Sequence, residues 1–333
     1  MKPAQKYAAP FLVTHPADIF YLTGLNLEGF WLMIAGTTRT VFAPELLAGQ
    51  VRERLPYATI IAGNSMVESL VKYCRENRIK KVGIDFSKIS YSSARLIEKN
   101  VVIENSAHCI ADQRIIKSSA EREHISRACT IAIRTFETVR RSIKPGMTEN
   151  HIAFKIEEIF SKKNVRSSFT PIVAFGPNTA NPHHVSSSRK LRKNDIVLID
   201  MGCLFNGYAS DLTRTFAIGK IDYLYRTVYS VVSQAHTTAI QGVLPGIKAN
   251  QVDGIARCII AEAGYGKEFI HSTGHGVGIE VHEPPRLSIS DTTILRTGMV
   301  VTVEPGIYLP GQFGVRIEDT VEVTAKGRKV LTQ

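Results

Sequence analysis

The stretch IVLIDMGCLFNGYASDLTRTF occupies residues 196–216. Two apolar or alternating runs, 196–204 and 209–218, flank Asn206-Gly207, a dipeptide suited to a tight turn with both central residues at positive φ. An antiparallel hairpin is predicted. Each strand carries an acid in apolar surroundings: Asp200 closes the run Ile196–Ile199, and Asp211 lies on the return strand. A carboxylate at the end of a buried strand is costly unless it is paired or bound to a cation. Two of them on neighbouring strands repel each other unless a metal neutralises both.

The same anomaly recurs downstream. His275 sits between glycines in STGHGVG, residues 272–278, where the glycines let backbone approach whatever the imidazole binds. Glu304 follows Val300-Val301-Thr302-Val303 and precedes Pro305-Gly306, and Glu318 follows Val315-Arg316-Ile317 and precedes Asp319. Taken singly, these are a turn cap, solvent-facing acids and a loop histidine. Taken together, four acids and one imidazole interrupting apolar or glycine-rich segments also read as a metal site, and the residues alone leave both readings open. Hard oxygen donors with one imidazole suit Mn, Co, Zn or Fe in a bridged pair better than a thiolate zinc site. Four negative charges balance two divalent cations. Water between such cations becomes hydroxide near neutral pH and attacks a carbonyl while the second cation holds the oxyanion, which is amide or ester hydrolysis. Rival motifs are weaker. Gly274–Gly278 misses the GxGxxG spacing, and no Walker A, HExxH or GxSxG sequence occurs. Composition leaves a Ser-His-Asp triad open, but no elbow motif presents its nucleophile.

Working outward, Ser118-Ser119-Ala120-Glu121 has the capping-box form and predicts a long helix with Ile125, Ala128, Ala132, Phe136 and Val139 on its buried face. Lys144-Pro145-Gly146 ends it, and a second helix is expected over about Thr148–Lys163. Two more are expected over about Tyr223–Gln241 and Asn250–Ala263. Strand-like segments follow around Val277–His282, Met299–Glu304, Gly306–Leu309 and Val315–Val323. The first 115 residues alternate differently. Strands are expected at Phe11–Thr14, Trp31–Ala35, Arg39–Phe42, Thr59–Ala62, Val82–Asp85 and Val101–Glu104, with helices at Met66–Asn77 and Ser92–Lys99. The chain therefore reads as an α/β domain over 1–117 followed by an α+β domain over 118–333. No internal repeat is evident.

Composition excludes other classes. With 44% hydrophobic and 21% charged residues, the chain is neither disordered nor fibrous. No apolar run approaches membrane-spanning length, and the N-terminal MKPAQKYAAPFLVTHPAD lacks a continuous signal-peptide core, so a cytoplasmic protein is expected. The five cysteines are odd in number and widely spaced without CxxC, which reads as small buried hydrophobes. The net charge of +11 is shared between the two regions, +5 and +6, so it marks no nucleic-acid face, and neither nucleic acid nor membrane is an expected partner.

At these residues the chain resembles the metallopeptidase family with the pita-bread fold, which includes Xaa-Pro aminopeptidase, Xaa-Pro dipeptidase (prolidase), methionine aminopeptidase and creatinase. The matching segments are Pro182-His183, IDMG…GYASDLTRTF (199–216), HSTGHGVGIEVHEPPR (271–286), GMVVTVEPGIY (298–308) and GVRIEDT (314–320). Tyr21-Leu22-Thr23-Gly24 resembles the start of the creatinase-like N-terminal domain of the prolidase and aminopeptidase P branch, a domain that methionine aminopeptidases typically lack. The resemblance implies Asp200, Asp211, His275, Glu304 and Glu318 as ligands of two divalent ions, with Asp211 and Glu318 bridging. It implies Glu304 as proton shuttle, His183 and His282 as substrate contacts that stabilise the tetrahedral intermediate, and Arg286 as a clamp on a dipeptide carboxylate. Arg316 and His271 are implied as supports behind the ligands.

The function implied is hydrolysis of Xaa-Pro bonds in short proline-containing peptides by a metal-bridging hydroxide, with Mn, Co, Zn or Fe as the metal, in a homodimer. The alternatives are a silent family member that binds peptides or proteins, and a creatinase-like C–N hydrolase. Silent relatives usually lose the ligand set, whereas all five residues stand here. Two departures from relatives bear on specificity. Ser186-Ser187-Ser188 stands where Pro and Asp are often found, and Phe175 where a small residue is common; Phe175 is expected to narrow the substrate pocket.

Overall fold

The computed structural model describes residues 10–333 except Ile221; the first nine residues of the stretch judged for a signal peptide lie outside the described residues. The chain divides into two compact units between Arg114 and Ile115.

The first unit contains β1 (Phe11–Val13), α1 (Pro16–Thr23), β2 (Trp31–Ala35), β3 (Thr38–Ala43), α2 (Glu45–Arg54), β4 (Thr59–Ala62), α3 (Met66–Glu76), β5 (Lys81–Ile84), α4 (Tyr91–Glu98), β6 (Val102–Asn105) and α5 (His108–Arg114). Its mixed sheet has the order β4-β3-β2-β1-β5-β6. Leu12, Met33, Phe42, Leu70, Val82, Ile84 and Ile97 form its core. All six expected strands are present within a residue or two of their predicted bounds. Three helices, α1, α2 and α5, were not expected. The signals for α1 stand in the sequence: Pro16 at its first turn and Gly24, in the left-handed region, at its end. Helix α2 hides because it buries only Ala48 and Val51 and leaves Leu46 in solvent, so it shows little apolar periodicity.

The second unit opens with α6 (Ser119–Ser142) and α7 (Glu149–Lys162), followed by β7 (Arg166–Ser167), β8 (Ile172–Phe175), a 3₁₀ turn (Gly176–Ala180), β9 (Ile196–Met201), β10 (Cys203–Phe205), β11 (Tyr208–Ala209) and β12 (Leu212–Ala217). Then come α8 (Tyr223–Gly242), α9 (Ala249–Glu262), β13 (Gly274–Gly276), β14 (Glu283–Leu287), β15 (Val300–Val303), β16 (Gly306–Leu309), β17 (Phe313–Arg316), β18 (Asp319–Thr324) and β19 (Gly327–Val330). Ser118 and Glu121 make both hydrogen bonds of the capping box, and all five predicted apolar positions of α6 are buried. The predicted hairpin forms as β9 against β12 and β10 against β11, with Asn206 and Gly207 at φ 49° and 81°.

The structure corrects the absence of a repeat. Helices α6 and α7 pack over β8, β9 and β12; α8 and α9 pack over the sheet ordered β14-β13-β15-β18-β19. Both pairs are joined by a Pro-Gly turn, Pro145-Gly146 and Pro245-Gly246, each glycine at positive φ. A later segment then docks identically on each turn. Gly146 N donates to Leu191 O and Leu191 N to Met147 O; Gly246 N donates to Leu295 O and Leu295 N to Ile247 O. The turn sequences share little beyond Pro-Gly and a following Asn, so only the backbone reveals the duplication.

Two expected strands are also redrawn. Residues 277–282 form the turn between β13 and β14 rather than a strand. The ladder shifts register between His275 and Gly276, and a Cβ on Gly276 or Gly278 would overlap Pro284 O or the Glu283 carboxylate. Val315–Val323 is split: β17 pairs with β16, β18 pairs with β15, and Glu318 falls at the changeover. Gly202 is held as tightly, since a Cβ there would overlap the Ser210 carbonyl oxygen. Gly202→Ala is therefore expected to destabilise the second unit by about 1–3 kcal/mol, read as a lowered midpoint in denaturant unfolding.

Candidate metal centre

The hairpin register sets Asp200 on β9 directly opposite Thr213 on β12, with Asp211 just before β12. The second sheet supplies the rest. His275 is the middle residue of β13, and Glu304 follows β15, its N–H donating to Thr273 O at 2.7 Å. Glu318 leaves β17 and donates its N–H to Thr213 O at 3.1 Å, which ties the second sheet to the hairpin.

These contacts bring the five sequence-predicted donors into one cluster, buried at Asp211, His275 and Glu318 and half-buried at Asp200 and Glu304. Ligand atoms of Asp211, His275 and Glu318 lie within 4.8 Å of one another. His275 Nε2 is 3.2 Å from Glu304 Oε1 and 3.6 Å from Asp211 Oδ2. Asp200 and Glu318 each have one oxygen engaged, by Arg316 Nη2 at 2.7 Å and by Thr213 Oγ1 at 2.6 Å. The other oxygen of each, Asp200 Oδ1 and Glu318 Oε1, is buried without a hydrogen-bond partner. Buried carboxylate oxygens in that state are costly unless a cation or a proton neutralises them. The donor set of hard oxygens and one imidazole therefore fits divalent ions.

The electrostatics agree. Burial, and then the charge of Asp200, push Asp211 well above the usual carboxylate range; burial and then Asp211, Glu304 and Asp200 do the same to Glu318. Burial also raises Asp200, against the pull of Arg316. Burial pushes Glu304 up too, but the hydrogen bond and charge of His275, with His271 and Arg316 behind it, outweigh burial and hold it at about 2. For His275 burial pulls down, while Glu304 and Asp211 prevail and raise it to about 9. The cluster is short of positive charge, and the imidazole proton supplies part of it. A cation bound at that nitrogen takes the proton's place.

Behind the cluster stands Arg316, only 3% exposed. Besides Asp200, it donates to Thr213 Oγ1 at 3.2 Å, Tyr308 OH at 2.8 Å and Pro182 O at 3.3 Å. His271 Nε2 meets the same Tyr308 hydroxyl at 2.9 Å. Arg214 contacts Glu318 O and Asp319, and Asp253 accepts from the N–H and hydroxyl of Thr273. Thr213, Tyr308, Arg214 and Asp253 were missed by sequence reasoning. The first three stand inside the matched motifs, but nothing in their type announces a role.

His282 lies with its ring 4.3 Å from that of His275, edge to face, and Arg286 on β14 pairs in register with His275. His183 follows the 3₁₀ turn. All three are exposed, unlike the cluster they adjoin. Phe175 corrects an expectation: its side chain is fully buried in the core with Val173 and Val197. Ser186 and Ser187 hold backbone and a buried acid, respectively, rather than facing solvent. The five cysteines are free; Cys74, Cys129 and Cys203 are buried as expected, whereas Cys109 is half-buried and Cys258 exposed.

Residues 123–325 match metallopeptidase family M24. The chain belongs to that family. Residues 4–116 match the creatinase/prolidase N-terminal domain. A Xaa-Pro dipeptidase from Pyrococcus horikoshii is 38% identical over 331 residues, covering 97% of this chain and 92% of the relative. Among solved structures, a Xaa-Pro dipeptidase from Bacillus anthracis superposes with TM-score 0.92 at 32% identity, covering 97% of this chain and 92% of the other. An X-Pro aminopeptidase from Thermotoga maritima superposes at 0.88 with 30% identity, covering 98% and 95%. The chain is thus an M24 metallopeptidase with the α+β pita-bread fold behind a creatinase-type N-terminal domain. No helix among the described residues is long and apolar enough to cross a membrane.

Because Arg316 is the cation hydrogen-bonded to Asp200, whose Oδ1 is buried, Arg316→Met leaves that carboxylate uncompensated when no metal is bound. Chelator-treated variant protein is expected to lose about 3–5 kcal/mol in denaturant unfolding, and metal-loaded protein less.

Proposed function

We propose that this chain hydrolyses Xaa-Pro bonds in short peptides, as a prolidase or an Xaa-Pro aminopeptidase. The observation that carries the reading is the convergence of Asp200, Asp211, His275, Glu304 and Glu318, with two of their buried oxygens left unpaired. Relatives named Xaa-Pro dipeptidase and X-Pro aminopeptidase support the substrate class. In this reading residues 118–333 carry catalysis, residues 1–117 form the accessory domain, and the protein is a cytoplasmic homodimer.

The five residues would hold two divalent ions, Mn, Co, Zn or Fe, with Asp211 and Glu318 shared between them. Such ions supply water activation and charge neutralisation at neutral pH. The chain's own groups do the rest. Glu304 accepts a proton from the attacking water and passes it to the proline nitrogen, which carries no hydrogen of its own in the peptide and must gain one to leave. His183 and His282 donate to the oxygen of the attacked carbonyl as it gains charge. Arg286 offers a two-pronged donor to a substrate carboxylate, a contact that a dipeptide meets best.

Stripping the protein with chelator is expected to abolish cleavage of Xaa-Pro dipeptides and Xaa-Pro-Yaa tripeptides, and Mn²⁺ or Co²⁺ to restore it. His282→Ala should lower kcat about 100-fold or more without altering metal content. Metal-loaded protein that cuts neither peptide class would count for a silent binding module instead. The ratio of dipeptide to tripeptide kcat/KM separates dipeptidase from aminopeptidase.

A further inference from the structure

Glu149 is the first residue of α7 and is fully buried, yet it takes no part in the metal cluster. Thr148 already caps that helix by accepting from His151 N, so Glu149 is not needed for the task. Its two oxygens instead accept five hydrogen bonds from the segment 175–187. Oε1 receives Phe175 N at 2.8 Å and Asn178 Nδ2 at 2.9 Å. Oε2 receives His184 Nε2 at 2.8 Å, Ser187 N at 2.9 Å and Ser187 Oγ at 2.6 Å. The carboxylate only accepts, so His184 presents an Nε2–H to it.

That segment carries His183. The residue before it, Pro182, offers its carbonyl to Arg316, the arginine that also holds Asp200. The residue after it, His184, is held by Glu149. The chain on both sides of His183 is therefore pinned, by the Pro182 carbonyl to Arg316 on one side and by the His184 imidazole to a buried acid on the other. We propose that Glu149 and His184 are positioning residues for His183, fixing the height and direction from which its imidazole meets the substrate carbonyl; this rests on the substrate-contact role proposed for His183. Burial works against the charge on Glu149, but donors from Ser187, His184, Asn178 and Phe175 outweigh it and hold the carboxyl below its usual range. The helix N-terminus favours the same ionised form. A neutral glutamine cannot substitute, because its amide nitrogen would face N–H donors on one of the two sides.

The test is steady-state kinetics of the Mn²⁺-loaded full chain on an Xaa-Pro dipeptide, with Glu149→Gln, His184→Ala and His184→Gln each made alone and together with His183→Ala. Glu149→Gln and His184→Ala are expected to lower kcat about 10–100-fold with little change in KM, as misplacement of a contact made in the transition state does. His184→Gln, which keeps a donor, should recover most of the loss. In the His183→Ala background the same changes should cost less than about twofold, because the group they position is gone. Mn²⁺ affinity by calorimetry should be unchanged throughout. Equal losses in both backgrounds, or weakened Mn²⁺ binding, overturn the inference alone. A His183→Ala protein as fast as the parent overturns the role given to His183, and the inference with it. If Glu149→Gln fails to fold, the two His184 variants decide the matter.

Discussion

Four carboxylates and an imidazole share one buried space, and their mutual repulsion is the constraint around which the second unit is built. Within the chain, the guanidinium of Arg316 is hydrogen-bonded to one of these acids, and the His275 imidazole lies 3.2 Å from another. The same arginine holds a threonine, a tyrosine and the Pro182 carbonyl, so the device that tolerates the charge also sets the shape around it. The acids are kept at strand ends, where backbone geometry fixes their direction. Divalent ions complete the balance that the protein groups leave short.

Much of this was legible in the sequence, for a physical reason. An acid that interrupts an apolar run is conspicuous because burial penalises it, and Asp200, Glu304 and Glu318 each stand out that way. The Asn-Gly turn and the capping box were equally readable, since both are local devices whose partners lie within a few residues. What escaped depended on distant partners. Thr213 and Tyr308 are ordinary residues until Glu318 and Arg316, far along the chain, fold against them. Phe175 reads as a pocket residue only by comparison with relatives that carry a small residue there, and nothing local says that its ring turns into the core. The run 277–282 reads as a strand because its apolar residues alternate, while Gly276 and Gly278, packed against Pro284 and Glu283 where it folds back, read only as giving backbone access to what the imidazole binds.

The duplicated architecture escaped for the same reason. Each half has a helix pair, a Pro-Gly turn and a docking arm, but the identities that matter are backbone hydrogen bonds, which almost any side chain permits. Each half also uses a buried acid near the start of its second helix to hold a loop: Glu149 on α7 grips the segment bearing His183, and Asp253 on α9 grips Thr273, two residues before His275. The two acids do not occupy matching helix positions. The halves thus share a means of fixing a loop while differing in what the loop presents.

The contacts that close the centre join residues very far apart in the chain. Glu318 meets Thr213 across 105 positions, and Arg316 meets Asp200 across 116. Pairings of such span have a high loop-closure entropy to overcome, so they consolidate late, after the hairpin and the helices have formed. Until residues 316–318 have been made and have folded back, the growing chain holds Asp200 and Asp211 without Arg316 or Glu318, so the centre closes only with the C-terminal strands.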